Sequence, residues 1–181
     1  MTNFATIFNN YYQKIICEDL ILKENLKNIS KIQKLKAITL SNSSRTIVKN
    51  INFSIPILAA FELFCGQKAK ITKAKKSISG FSIRENQIIG SKITLRGQSL
   101  LTFLEKLIFV LLPRCNSLES ASILKSSFNY GVYQVLLFPE LENHYGFFEF
   151  FKGFNIHITT SCNSTKSCRL LMTAFKIPHL K

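Results

Sequence analysis

Residues 66–97 read GQKAKITKAKKSISGFSIRENQIIGSKITLRG, and the rest of the chain is organised around them. Ala69 and Ile71 alternate with Lys68, Lys70 and Thr72, and Ile93 and Leu95 alternate with Lys92, Thr94 and Arg96. A period of two predicts a pair of strands, with cations on one face and an apolar anchor on the other. Lys73, Lys75, Lys76 and Arg84 lie in the long polar loop between the arms, and Glu85 is the one acid of the window. A face of ammonium, guanidinium and hydroxyl groups suits a phosphate backbone, because cations release counterions while hydroxyls and amides set register. A merely solvated strand face is the competing reading from charge alone.

Working outward, the chain has 181 residues, enough for one sizeable core. A single domain over residues 1–181 is expected, with an N-terminal half over about 24–84 and a C-terminal half over about 88–181. Hydrophobic residues make up 46%, including 16 Phe, which argues for a folded protein, and the net charge of +14 argues for an acidic partner. Nucleic acid is the first candidate and an anionic membrane surface the second. No apolar run reaches the roughly eighteen residues of a spanning helix. The longest, Leu100 to Leu112, is broken by Thr102, Glu105 and Lys106, so no membrane insertion is expected.

Cys17, Cys65, Cys115, Cys162 and Cys168 are odd in number and form no CxxC pair, which favours a reducing compartment. The opening MTNFATIFNNYY has no arginine and no signal-type apolar core. Either the chain is made where it works or a presequence has been removed. The leaning towards Lys, Asn, Ile and Phe, with no Trp, is the usage of an AT-rich genome and hints at an organelle.

Phe4, Ile7, Phe8, Tyr11, Tyr12, Ile15 and Ile16 fall at helical spacing, with Thr2 and Asn3 as candidate caps, and predict a first helix to about Leu22. A Lys-rich link, 23–34, leads to a strand over Leu35–Leu40 and a polar loop, SNSSR. A second helix is expected from a Ser54 cap, with Pro56 in its first turn, to Gly66 as a left-handed stop. Leu100, Leu101, Leu104, Leu107, Ile108 and Leu111 predict a third, ended by Pro113, whose apolar face packs on the sheet. Val132–Phe138 reads as a buried strand stopped by Pro139, and Phe154, Ile156 and Ile158 mark another. Asn163 or Ser164 caps a last helix with Cys168, Leu171, Met172 and Phe175 on one face. The fold class is therefore α+β, with a mostly antiparallel sheet, helices packed on one face and a long basic loop between two strands.

Catalytic chemistry finds little support. GQKAKITKAKKS places Lys75 where a P-loop needs glycine, and there is no GxSxG elbow. His144, His157 and His179 are scattered, no Cys or His pair has zinc-ligand spacing, and Cys162 and Cys168 read as packing residues. No metal and no cofactor is expected, and no catalytic residue stands out. An enzyme would have to act through a residue such as His157 or Glu105.

The window resembles the signature of a known family. GQK, ITKAKKSISGFSIRE, IG and KITLRG are similar to the centre of ribosomal protein L-five, the universal large-subunit protein that binds 5S rRNA. LEKLIFVLLPR, FNYGVYQVLLFPEL, GFNIHITT and CRLLMTAFKIPHLK follow in the family's order, so the likeness runs from about Leu35 to Leu180. It implies a structural ribosomal protein of the central protuberance, with partners in 5S rRNA or adjacent large-subunit rRNA, peptidyl-site tRNA, neighbouring large-subunit proteins and a small-subunit head protein. By position it implies rRNA contacts at Gln67 and Thr94, with Lys68, Lys70, Lys92 and Arg96 as neighbouring phosphate contacts. It implies a tRNA-facing loop of Lys73, Lys75, Lys76, Ser77, Gly80, Phe81 and Arg84.

Within that loop, Phe81 either pins the loop to itself or stacks on a base, and Gly80 is a candidate for positive φ. Ser41-Asn42-Ser43-Ser44-Arg45 departs from the family's Asn and Gly-rich turn, leaving Ser41 as the shorter-reaching rRNA contact. The shorter segment 115–127, with HYGFFEFFKGFNI, is more similar to mitochondrial members than to plastid or bacterial ones. A mitochondrial matrix ribosome is the implied location, an organelle-encoded origin fits it, and plastid or bacterial cytoplasm is the alternative. The alternative function is a basic membrane-surface or protein-docking module using Leu100–Leu111 without RNA.

Overall fold

The computed structural model describes residues 4–115 and 121–178. The expected Thr2 and Asn3 caps and His179 lie outside the described residues. In chain order the elements begin with α1 (Phe4–Tyr11), which passes through a π turn, Tyr12–Ile16, into α2 (Cys17–Glu24). Asn25, at φ 48°, ends that run. There follow β1 (Leu35–Ser43), α3 (Arg45–Lys49), α4 (Ser54–Cys65), β2 (Lys70–Lys73) and β3 (Ile88–Leu95). Next come α5 (Gly97–Lys106), a second π turn, Leu107–Leu111, α6 (Leu112–Arg114), β4 (Ser122–Ile123) and β5 (Ser127–Val132). The chain continues through α7 (Pro139–Glu142), α8 (Tyr145–Phe148), β6 (Phe154–Thr160) and α9 (Thr165–Ala174).

The six strands form a sheet in the order β2-β3-β1-β6-β5-β4. The β2–β3 and β4–β5 pairs are antiparallel. The Ser44 N–H donates to the Ile89 carbonyl, the Ser161 N–H to that of Lys34, and the Thr160 N–H to that of Ser126. These bonds join β1 to β3, β6 to β1 and β6 to β5, each pair also running in opposite directions. The expected α+β class with an antiparallel sheet is what the chain adopts.

The chain divides into two compact units, Met1–Ile38 with Leu95–Tyr130 and His157–Lys181, and Thr39–Thr94 with Gly131–Ile156. In the first, α1 lies against α5, and α2 against α9. Phe8 sits edge-on to Phe109 and stacked on Phe175, filling the space between these helices. Ser164, not Asn163, caps α9, its Oγ accepting the Ser167 N–H at 3.1 Å. Cys168, Leu171, Met172 and Phe175 are all buried, as helical spacing requires. In the second unit α4 packs on α7 and α8. Its core is aromatic: Phe64 stacks on Phe138 with centroids 4.6 Å apart, and Phe61 meets Phe151 and Phe154 edge-on. Gly66, at φ 67°, stops α4 in the left-handed conformation.

Four expectations are corrected. Ser41–Ser43 belong to β1 and not to a loop, and Ser44 starts α3 by accepting the Thr46 N–H at 3.2 Å. Ser54 makes no capping bond; it is the buried first residue of α4, which continues directly from a 3-10 turn, Ile51–Phe53. The third helical run does not end at Pro113 but closes one residue later, with the Cys115 N–H bonded to the Leu111 carbonyl.

Val132–Phe138 is not a strand. The strand lies upstream and ends at Val132, and Val135–Leu137 form a 3-10 turn that leads into Pro139 as the first residue of α7. Buried Val135 and Phe138 are three residues apart, the repeat of a 3-10 helix, and an uninterrupted apolar run conceals that period.

Candidate functional site

The basic hairpin forms where alternation places it. Lys70 is the cross-strand partner of Lys92, Ile71 of Ser91 and Thr72 of Gly90, with a bulge before Lys73 reaches Ile88. Ile93 and Leu95 are buried, so Lys92 and Thr94 emerge on the opposite face of β3, Lys92 exposed and Thr94 half-buried. Leu40 and Asn42 are likewise buried on β1, which leaves Thr39 and Ser41 half-buried on the other side. The first arm departs from expectation: Ile71 is 45% exposed, so β2 is an edge strand without an apolar anchor. Its position depends instead on the ladder with β3.

The structure brings two pairs of the sequence-selected residues together. The Gln67 Nε2 donates to the Thr94 carbonyl at 3.4 Å, and Lys70 faces Lys92. Lys68 stands exposed on the approach to β2. Ser41 is on β1 with its hydroxyl on the polar side by alternation. Arg96 belongs to the first compact unit, exposed and extended at the N-cap of α5. Among the described residues none of these cations pairs with an acid, whereas Lys23 pairs with Asp19 on α2.

The loop is itself built as a second, narrower turn. Ala74 and Gln87 close its base, and Ile78 bridges to Ile83 through a pair of main-chain bonds of 2.9 and 3.1 Å. The Ser77 Oγ accepts the Glu85 N–H at 2.9 Å and ties the two sides of the loop together, while Ser77, Lys73, Lys75, Lys76 and Arg84 are all exposed. Gly80 is not the left-handed residue; Ser82 at φ 55° and Asn86 at φ 62° make the turns. A Cβ on Gly80 would meet nothing within 4 Å. Phe81 does not pin the loop to itself either, being 74% exposed at the tip.

Sequence reasoning missed the latch that holds this loop. The Gln87 Oε1 accepts the Arg84 N–H at 2.9 Å, and its Nε2 donates to the Val48 carbonyl at 3.0 Å. The loop is thereby tied to α3. It also missed Asn42, whose Nδ2 donates to the Gly153 carbonyl and keeps a polar segment in β1.

The shifted titratable groups lie elsewhere, in the first compact unit. Burial raises Glu105, opposed by a hydrogen bond from the Phe8 backbone, and burial also raises Tyr130 and Cys115. Burial raises Tyr12, with Cys17 beside it. The Cys162 thiol, hydrogen-bonded to Cys168, is pushed up while Cys168 is brought down to about 7, both sulfurs being buried in the packing. His157 Nδ1 meets Asn129 Oδ1 between β6 and β5.

Among the described residues no three His, Cys, Asp or Glu side chains gather as metal ligands, and no helix is long and apolar enough to cross a membrane. The Leu100–Leu111 face of a docking module is occupied: Leu100, Leu104, Leu107 and Leu111 are buried in the protein's own packing.

Comparison with known proteins gives the family of the chain. The model of the C-terminus of the ribosomal L-five protein family matches residues 88–179. The large ribosomal subunit protein uL5m of Prototheca wickerhamii is 37% identical over 192 residues, covering 96% of this chain and 83% of the relative. The uL5 protein of Polynucleobacter asymbioticus is 33% identical over 178 residues, covering 96% and 98%. The uL5m protein of Reclinomonas americana is 36% identical over 174 residues, covering 93% and 94%.

Proposed function

Because the chain belongs to the ribosomal L-five protein family, and so is a structural component of the large ribosomal subunit rather than an enzyme, we propose that it binds 5S rRNA, or adjacent large-subunit rRNA, through the polar side of β1, β2 and β3. The observation that carries this reading is the Lys70–Lys92 pair: two exposed cations held opposite each other, without an acid partner among the described residues, with Gln67 bonded to Thr94 alongside. Lys68, Ser41 and Arg96 complete the proposed rRNA contacts. Ser41 supplies a hydroxyl, and the cations contact phosphate oxygens.

In the same reading the loop from Lys73 to Arg84 reaches towards peptidyl-site tRNA, with Lys73, Lys75, Lys76 and Arg84 around the phosphates and Ser77 supporting the turn. Gly80 leaves the tip open to close approach, and exposed Phe81 offers a ring for stacking. Neighbouring large-subunit proteins and a small-subunit head protein complete the proposed surroundings. Two of the relatives carry the mitochondrial-type name, which supports a mitochondrial ribosome as the site of action.

Filter binding of the full chain to a 5S rRNA transcript across a salt series tests the central point. With about six phosphate contacts the log-log slope is expected near −5. A flat slope, or equal affinity for an unrelated RNA of the same length, overturns the reading.

A further inference from the structure

The latch between Gln87 and Val48 holds open a groove that the strand face does not use. Its volume is about 720 Å³, and its walls are α3 with Ser43 and Ser44 on one side and the loop tip from Gly80 to Ile83 on the other. Two independent bonds hold the α3 side in place, Gln87 Nε2 at the base of the loop to the Val48 carbonyl at 3.0 Å and the Ser44 N–H to the Ile89 carbonyl of β3 at 3.4 Å. Arg45 and Lys49 are four residues apart, hence on one side of α3, and both line the groove. Both are exposed, and among the described residues neither pairs with an acid. No carboxylate lines the groove, and the large aromatic surface on its rim is Phe81, 74% exposed.

We propose that this groove takes one unpaired nucleotide of a bound RNA, its base stacked on Phe81 and its phosphate between Arg45 and Lys49. The volume lies within the ~300–1,000 Å³ of small-ligand sites. Base on aromatic with cation on phosphate is the usual way of holding single-stranded nucleic acid, and it asks nothing of base identity. Charge favours RNA over a protein segment, since an apolar or basic peptide would leave both cations without a partner. The proposal rests on the RNA-binding reading above for the class of ligand and shares Gly80 and Phe81 with it. It adds α3, which the sequence did not single out.

The chain has no tryptophan, so Phe81→Trp places a single indole at the rim as a reporter. Titration of that variant with hexauridylate is expected to quench its emission saturably. In the same background Arg45→Ala/Lys49→Ala should weaken binding at least fivefold and flatten the salt dependence by roughly 0.7, the value for one lost phosphate contact on a single strand. Lys152→Ala/Lys166→Ala, which removes two exposed cations outside the proposed contacts, should leave the quench unchanged. A tRNA transcript and a 5S rRNA transcript then compete for the site, and the stronger competitor names the source of the nucleotide. Absence of quenching, quenching indifferent to the Arg45/Lys49 pair, or competition by neither transcript overturns the proposal. If 5S rRNA is still retained on filters with its salt dependence intact, the groove fails alone and the strand-face reading stands.

Discussion

Lys70 and Lys92 stand directly opposite each other across the β2–β3 ladder, both exposed and, among the described residues, both without an acid partner. Like charges in that position oppose pairing by a few tenths to about 1 kcal/mol, so the protein alone gains nothing from them. A polyanion reverses the sign. Lys70→Gln/Lys92→Gln is therefore expected to leave the melting temperature unchanged or slightly raised while lowering the salt slope of 5S rRNA binding by about 2, one for each phosphate lost. Melting curves and filter binding on the same preparation separate the two effects; a loss of stability without a change of slope would assign the lysines to the fold.

Two glycines of the same window make opposite predictions. A Cβ on Gly90 would lie 2.0 Å from the Asn42 carbonyl oxygen of β1. Gly90→Ala must push the strands apart, and it is expected to cost about 3 kcal/mol or to prevent folding. Gly80 meets nothing and has no positive φ, so Gly80→Ala should stay within about 0.5 kcal/mol of the parent. Urea titration checks both, and an RNA-binding defect in Gly80→Ala at full stability reports contact at the loop tip.

The elements legible in the sequence were those whose cause is local. Helical spacing from Phe8 to Leu20, the left-handed Gly66, the alternation around Ile93 and the Ser164 cap each depend on neighbours within a few residues. What escaped depends on distant partners. Ser41–Ser43 look like a loop until Asn42 finds the Gly153 carbonyl, 111 positions away. The Val135–Leu137 turn is written in a period of three that seven consecutive apolar or amide residues obscure. The candidate site divides the same way: the cations of the hairpin follow from alternation, whereas Arg45 and Lys49 become neighbours of Phe81 only through the Gln87 bond to Val48.

Phe64 tests the aromatic core of the second unit. It is 1% exposed and stacks on Phe138 at 4.6 Å and on Phe154 at 5.6 Å. Phe64→Ala should cost about 3–5 kcal/mol, while Phe64→Leu should recover more than half of that by refilling the space. Equal losses in the two variants would show that ring stacking outweighs volume.

Glu105 gives the chain a pH dependence of its own. The carboxyl is buried on α5, and that burial raises its pKa above the ordinary 4.5, only partly opposed by the hydrogen bond from the Phe8 backbone. The folded state therefore holds this proton more tightly than the unfolded chain does. Its contribution to stability is complete below the ordinary value and is lost as pH rises through the raised one. At neutral pH the folded protein carries a desolvated carboxylate that the unfolded chain exposes to water. Glu105→Gln keeps an oxygen for the Phe8 N–H and removes the charge, so it is expected to melt higher than the parent at pH about 7 and to lose that advantage towards pH about 4. Melting curves of both proteins across this range read the difference directly. A difference that stays constant with pH, or grows towards acid, shows that burial is not what sets the protonation of Glu105.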